Sequence, residues 1–263
     1  MRPDHKKIMI EFTSTDPAIC VITLNRPECR NALSGQMLED FVQILDEIRA
    51  ESSAKVVLIQ GIGAGFCSGI DLKEAATSYE TAEKMFAQVV DILVRLRKLR
   101  QTVITSASGI AYGGGSAIIA ASDIAVASAD LKIATPEVKR GFDPVLLFPL
   151  FRRKLSDAAL RELILTGEPI TASRAKEIGL VQYVLDEQSR QDFAIALAEK
   201  IVQNEPTAMV NAKLFLNAHD TMLYQLPLED ELRLSLSSHL ESWKTQPAQE
   251  GVAAFVEKRQ PVW

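Results

Sequence analysis

A β-branched run, Val103-Ile104-Thr105, leads through Tyr112 into Gly113, Gly114 and Gly115, which open an apolar segment ending near Ala121. Each glycine raises the conformational entropy lost on folding, so a run of them needs a reason. Close approach supplies one, because with no Cβ in the way backbone N–H groups can reach a docked atom. At a helix start those N–H groups have no internal partner, and the helix dipole favours negative charge. The chemistry on offer is the holding of an anion or of a developing oxyanion. The other reading is a tight strand-to-helix turn packed against a neighbour, and this stretch alone weighs the two evenly.

A second glycine-rich stretch, Gly61-Ile62-Gly63-Ala64-Gly65-Phe66, follows a strand-like run but does not fit a dinucleotide-binding loop. Phe66 stands where the third glycine would be, and no strand ending in an acid follows about 20 residues on. No P-loop signature occurs either. The loop continues as Cys67-Ser68-Gly69-Ile70-Asp71-Leu72-Lys73. Gly69 permits a turn there and puts the N–H of Ile70 at the mouth of the next helix. In isolation a plain left-handed turn is the favoured reading of that piece.

Groups that could move protons are few. The histidines are His5, His219 and His239, none near a glycine loop in sequence. A Ser-His-Asp or Cys-His arrangement is therefore not expected. Cys67 reads as a small buried apolar residue rather than a nucleophile. Glu137, in Thr135-Pro136-Glu137-Val138, is the leading carboxyl. On a loop beside an apolar stretch its pKa would rise and it could carry protons, although a surface glutamate is the commoner case. Asp143, between Phe142 and Pro144, is a weaker candidate, since an Asp-Pro pair also simply starts turns.

The elements that must position these residues alternate. Ile19–Leu24 reads as a strand ended by the Asn25-Arg26-Pro27 turn. Ser34 caps a helix through about Glu51, with Met37, Leu38, Phe41, Ile44, Leu45 and Ile48 on one face. Strands follow at Lys55–Gln60, Val103–Ala107 and Asp123–Ala127, with a helix from about Tyr79 to Leu99 between them. Such alternation argues for right-handed crossovers and an α/β core. After about residue 156 the chain reads as helical: Asp157–Leu165, Ala172–Ile178, Gln188–Gln203, Pro206–Ala218, Glu229–Trp243 and Gln249–Lys258. That is a core followed by a helical appendage, with no internal repeat in the sequence.

Composition bounds the rest. The chain has 263 residues, 47% hydrophobic and 24% charged, with net charge −5. These values suit a soluble globular protein with an ample core. The densest basic group, Arg95, Arg97, Lys98 and Arg100, reads as a helix C-terminus, so no nucleic-acid partner is expected. The cysteines, Cys20, Cys29 and Cys67, form neither a disulfide framework nor a zinc-ligand pattern, and no metal site is expected. With no signal core and no membrane-length run, a cytoplasmic protein without a membrane partner is the default expectation.

Seven segments then stand in one order. They are Ile22-Thr-Leu-Asn-Arg-Pro27 with Asn31-Ala-Leu33, Phe66-Cys-Ser-Gly-Ile-Asp-Leu-Lys73, and Gly113-Gly-Gly115 with Asp123-Ile124. Pro136-Glu137-Val138, Leu165-Thr-Gly-Glu-Pro-Ile170, Gly179-Leu-Val181 and Phe255-Val-Glu-Lys-Arg259 complete the set. Each is weak alone, but in this order they resemble the crotonase (enoyl-CoA hydratase/isomerase) family over nearly the whole chain. The resemblance implies an α/β spiral of ββα units over residues 1–200 and a helical trimerisation region over 201–263, assembled as a homotrimer or a dimer of trimers. It implies an acyl-CoA thioester substrate and no separate cofactor, since CoA is part of the substrate. The thioester oxygen would be held by the backbone N–H groups of Ile70 and Gly114, with Gly69 and Gly113 shaping that cradle. The CoA nucleotide would lie against the Asn25-Arg26 turn and the Phe66–Ser68 backbone. Phe255 and Lys258 would add contacts, from the same chain or across a subunit boundary.

Where the chain departs from that family also matters. Hydratases of this kind usually carry a second glutamate two residues after the third glycine, and here that position is Ala117. Hydration divides naturally between two carboxylates, whereas one suffices to take a proton from one carbon and return it two carbons away. The expectation is therefore Δ3-to-Δ2 enoyl-CoA isomerisation with Glu137 as the proton carrier and Asp143 as an auxiliary acid. The alternatives are an enoyl-CoA hydratase, a hydrolase or decarboxylase of branched or cyclic acyl-CoAs, and a non-catalytic acyl-CoA binder. The bulky run Gly141–Leu150 replaces a glycine-rich one and is expected to reshape the acyl pocket.

Overall fold

The computed structural model describes residues 10–262 except 51 and 52, so His5 lies outside the described residues. The strands are β1 (Ile10–Asp16), β2 (Ile19–Leu24), β3 (Val56–Gly61), β4 (Thr102–Ala107), β5 (Ile110–Tyr112), β6 (Ile124–Ser128), β7 (Lys132–Ala134), β8 (Ile170–Thr171) and β9 (Tyr183–Leu185). Six form one sheet in the order β1-β2-β3-β4-β6-β9, and β5-β7-β8 form a second. The first pair, β1 with β2, is antiparallel, and the remaining pairs of the large sheet are parallel.

Helices cover both faces of the large sheet, as a parallel sheet requires. They are α1 (Gly35–Ala50), α2 (Leu72–Ala75), α3 (Tyr79–Lys98), α4 (Gly114–Ala121), α5 (Phe148–Phe151) and α6 (Asp157–Thr166). Then come α7 (Ala172–Glu177), α8 (Glu187–Val202), α9 (Pro206–Tyr224), α10 (Leu228–Trp243) and α11 (Gln246–Glu257). The period-two alternation of β3 divides its side chains between two layers. Val57 and Ile59 join the core built from the α1 and α3 faces, including Phe41, Leu45 and Leu93. Val56 and Leu58 pack the other way, against Ala194 and Ala198 of α8. Small residues one helical turn apart let α8 lie close to the sheet.

The architecture repeats although the sequence does not. A strand of the large sheet turns sharply into a short strand of the small sheet, and a helix follows: β4, β5, α4, then β6, β7 and a 3₁₀ turn, Pro136–Arg140. The loop after β3 follows the same course, since Cys67 bridges in parallel to Ala111 of β5. This is the expected crotonase-type spiral. The small-sheet strands escaped the sequence reading because two or three residues are too few to show alternation.

The expected elements of the core lie within a residue or two of the observed ones. Two helices extend beyond expectation: α11 begins at Gln246 rather than Gln249, and α9 runs past Ala218 to Tyr224. His219-Asp220-Thr221 is a poor helix segment by propensity. Tertiary pairing holds it, with Asp220 2.7 Å from Arg97 and the Tyr224 hydroxyl donating to the Arg152 carbonyl. No helix among the described residues is long and apolar enough to cross a membrane.

Candidate active site

The two glycine segments cross. Residues 66–70 run beside β5, with Cys67 N donating to Ile110 O and Tyr112 N to Cys67 O, each at 3.0 Å. On the other side of that segment Leu33 N donates to Gly69 O, and Asp71 N to Leu33 O. The Ile70 amide between them finds no acceptor among the described residues. Gly113 N donates to Ala134 O, while the Gly113 carbonyl accepts from Ala117 N and the Ser116 hydroxyl. The Gly114 amide, first in α4, is likewise left without an acceptor among the described residues, as helix geometry dictates.

The conformations needed here are open to glycine. Gly69 has φ 91°, and a methyl group built on it would lie 2.9 Å from Tyr112 O and 3.4 Å from Gly114 N. Gly113 has φ 50°, and a methyl group there would sit 3.1 Å from Glu137 Oε1. One on Gly114 would lie 4.0 Å from Ile70 N. Ile70 N–H and Gly114 N–H are therefore neighbours, with the Glu137 carboxyl beside them.

Glu137 sits in the 3₁₀ turn that follows β7, closed by Gly141 in the left-handed region. The carboxyl is buried, and Oε2 has no hydrogen-bond partner among the described residues. Burial pushes its pKa up to about 7, opposed by backbone hydrogen bonding and the nearby Arg140 guanidinium. At neutral pH both protonation states are populated, which suits a group that takes and returns a proton.

These groups open onto a cavity of about 950 Å³. Arg26, Ser68, Gly69, Phe255 and Lys258 line it, all from one chain. Arg26 is pinned, donating to Asp71 Oδ2 at 2.7 Å and to Ala32 O at 3.1 Å. The same turn is locked by buried Asn31, whose side chain bonds Arg26 N, Ile62 O and Gly65 O. Phe255 lies over Arg140, 4.6 Å from guanidinium carbon to ring centre. Phe66 departs from expectation: its side chain is wholly buried in the core, outside the cavity lining, and its amide is held by Ser108 O.

Asp143 departs too. Its side chain is exposed and does not line the cavity, while its flanking residues Phe142 and Pro144 do. Its contribution is backbone: the carbonyl holds His239 Nδ1 at 2.8 Å, and the amide donates to the Ser242 hydroxyl. His239, set aside in the sequence for its distance from any glycine loop, lines the cavity from α10. Arg140 and His239 are the residues sequence reasoning missed. Arg140 ends the same 3₁₀ turn as Glu137, three residues after it, whereas His239 reaches the cavity through the packing of α10 on the core.

The comparisons agree with this geometry. The model of the family described as enoyl-CoA hydratase/isomerase matches residues 14–263. Enoyl-CoA hydratase EchA19 of Mycobacterium tuberculosis is 30% identical over 92% of this chain and 91% of its own. The 2,3-dehydroadipyl-CoA hydratase of Escherichia coli is 29% identical over 95% and 96%. Among solved structures, an enoyl-CoA hydratase from Bacillus anthracis matches with a TM-score of 0.76 and 31% identity, covering 97% of this chain and 98% of that one. One from Mycobacterium avium matches at 0.83 and 26% identity, covering 97% and 99%. A family model spanning nearly the whole chain, a shared spiral and the paired amides lead to one conclusion: the chain belongs to the enoyl-CoA hydratase/isomerase family, enzymes that act on acyl-CoA thioesters.

Proposed function

We propose that this enzyme moves a proton along an enoyl-CoA, as in Δ3-to-Δ2 isomerisation. The observation that carries the reading is a single buried carboxyl, Glu137, beside two unpartnered amides, with Ala117 where a second acid would stand. The thioester oxygen sits between Ile70 N–H and Gly114 N–H. Glu137 as carboxylate removes a proton from the carbon next to the thioester, the charge passes to the oxygen, and Glu137 returns the proton two carbons along. Fixed donors already aimed at the oxygen stabilise that charge without reorganising. The cycle needs no group beyond the chain and the acyl-CoA.

A hydratase is the second reading, supported by the names of the similar relatives. Conjugated enoyl absorbance separates the two. A gain with 3-enoyl-CoA supports isomerisation, and a loss with 2-enoyl-CoA supports hydration. Release of free CoA or CO₂ with neither change would instead mark a hydrolase or decarboxylase.

Assembly into homotrimers, or pairs of them, is part of the same proposal. Leu214, Phe215 and Leu216 of α9 are 57%, 72% and 64% exposed, a run of apolar surface unusual for a lone chain. Light scattering that returned a monomer mass would overturn it.

A further inference from the structure

Two cavities meet α3 on one face. Phe86 and Val89 line the main cavity of about 950 Å³, and Tyr79, seven residues before Phe86, lines a second of about 580 Å³. Seven residues are close to two helical turns, so Tyr79 and Phe86 share a face about 10 Å apart along the axis. The two cavities have no lining residue in common among the described residues.

The partition between them is aromatic. Phe86 and Phe142 line the main cavity, whereas Trp243, largely buried at the end of α10, lines the second. Both phenylalanines pack edge-on to the Trp243 ring, at centroid distances of 5.1 and 5.2 Å. Such contacts hold each ring in a set orientation. His239 packs edge-to-face on the same two phenylalanines with Nε2 sealed from solvent, so its ring adds bulk to the wall.

The wall stands where an alkyl chain gains most by lying. The main cavity is lined by charged Arg26, Lys73 and Lys258, but also by Val89, Leu146 and Leu147 beside the two phenylalanines. Burying alkyl surface favours the apolar part. Behind Trp243 the second cavity offers more apolar lining, from Ala75, Ala76, Val252 and Ala253.

Resting on the acyl-CoA reading of the main cavity, we propose that Phe86, backed by Trp243, is an end stop that sets the longest acyl chain the enzyme accepts. The chain ends at the Phe86 ring, and the second cavity is open to it only when the wall is thinned.

Calorimetric titration of the intact enzyme tests this, using saturated acyl-CoAs that lengthen by two carbons at a time and bind without reacting. Affinity should climb roughly fourfold per methylene while the chain finds apolar wall, then level off where it meets Phe86. Phe86→Ala and Trp243→Ala should each move the levelling-off point to chains longer by about two carbons or more, because each truncation leaves a cavity at the wall. Trp243 lines no part of the main cavity, so a shift in that variant reads its backing role alone. A reading with the wall intact uses Trp243 fluorescence after the other tryptophan is removed by Trp263→Phe. Acyl-CoAs brominated at the chain end should quench it strongly only at the lengths that reach the wall. Affinity that climbs through the longest chains, or quenching that ignores chain length, overturns the proposal. So does a levelling-off point that stays put in both folded alanine variants. If no acyl-CoA binds at any length, the acyl-CoA reading itself falls and takes the end stop with it. If acyl-CoAs bind but show no such limit, only the end stop falls.

Discussion

Ile70 and Gly114 offer the cavity backbone amides, whereas His239, Phe86 and Phe142 offer it side chains. The amides are placed by strand-like pairing on either side, Leu33 with Gly69 and Cys67 with β5, so their positions are fixed by the chain itself. Side-chain replacement changes them little unless it adds a Cβ where none fits. The His239 wall depends instead on α10 docking onto α3 and the Pro144–Leu146 turn, with one carbonyl, Asp143 O, setting the ring. The first part can hold an oxygen whatever the acyl group. The second lines the cavity with side chains, each of which can be exchanged without moving the amides.

The sharpest break comes from Glu137→Gln, expected to lower kcat roughly 10³-fold while acyl-CoA binding, read by calorimetry, stays the same. Full activity in that variant would remove Glu137 from the mechanism. Gly114→Pro deletes one amide at a helix position where proline is tolerated, and should lower kcat between roughly 10² and 10³-fold. A folded and fully active Gly114→Pro enzyme would end the oxyanion role.

The pH dependence separates the carboxyl from the backbone it sits on. Glu137 binds its proton more tightly in the fold than when unfolded, with a pKa near 7 against an ordinary 4.5. Its contribution to stability is full below pH 4.5 and is lost as pH rises through 7, a change of about 3 kcal/mol. Denaturant midpoints should show that slope in the wild type and a flat line in Glu137→Gln. In the same window kcat/KM should rise with pH, with a midpoint near 7. The smallest effect expected is from Gly69→Ala, which combines a φ of 91° with a close carbonyl and should cost about 1–3 kcal/mol of stability. Unchanged stability there would mean the crossing of the two glycine segments is looser than the distances imply.

Much of this was legible in the sequence. β2, β3 and β4 showed as β-branched runs, α1 and α3 as faces of helical period, and the order of the segments carrying Gly69-Ile70, Gly113–Gly115 and Glu137 resembled a known family, which implied the site. The small-sheet strands β5, β7 and β8 were not legible, being too short to carry a pattern. Asp143 misled because adjacency in sequence to a site residue says nothing about which way a side chain faces, and the Phe66 backbone, expected to meet the CoA nucleotide, has its amide taken by Ser108 O. Phe66 turned into the core, and Asp143 turned out while its carbonyl turned toward His239.

What the sequence determined by itself was the local chemistry. Glycines permit positive φ and close approach, a helix start frees an amide, and Ala117 withholds a second acid, all of which follow from residue type and order. Tertiary structure alone decided that Glu137 would be dry enough for its pKa to reach about 7, and that a histidine on α10 would join a cavity floored by residues a hundred or more positions earlier. Burial and long-range contact are properties of packing, because water is excluded only when distant segments meet, and no single segment encodes that meeting.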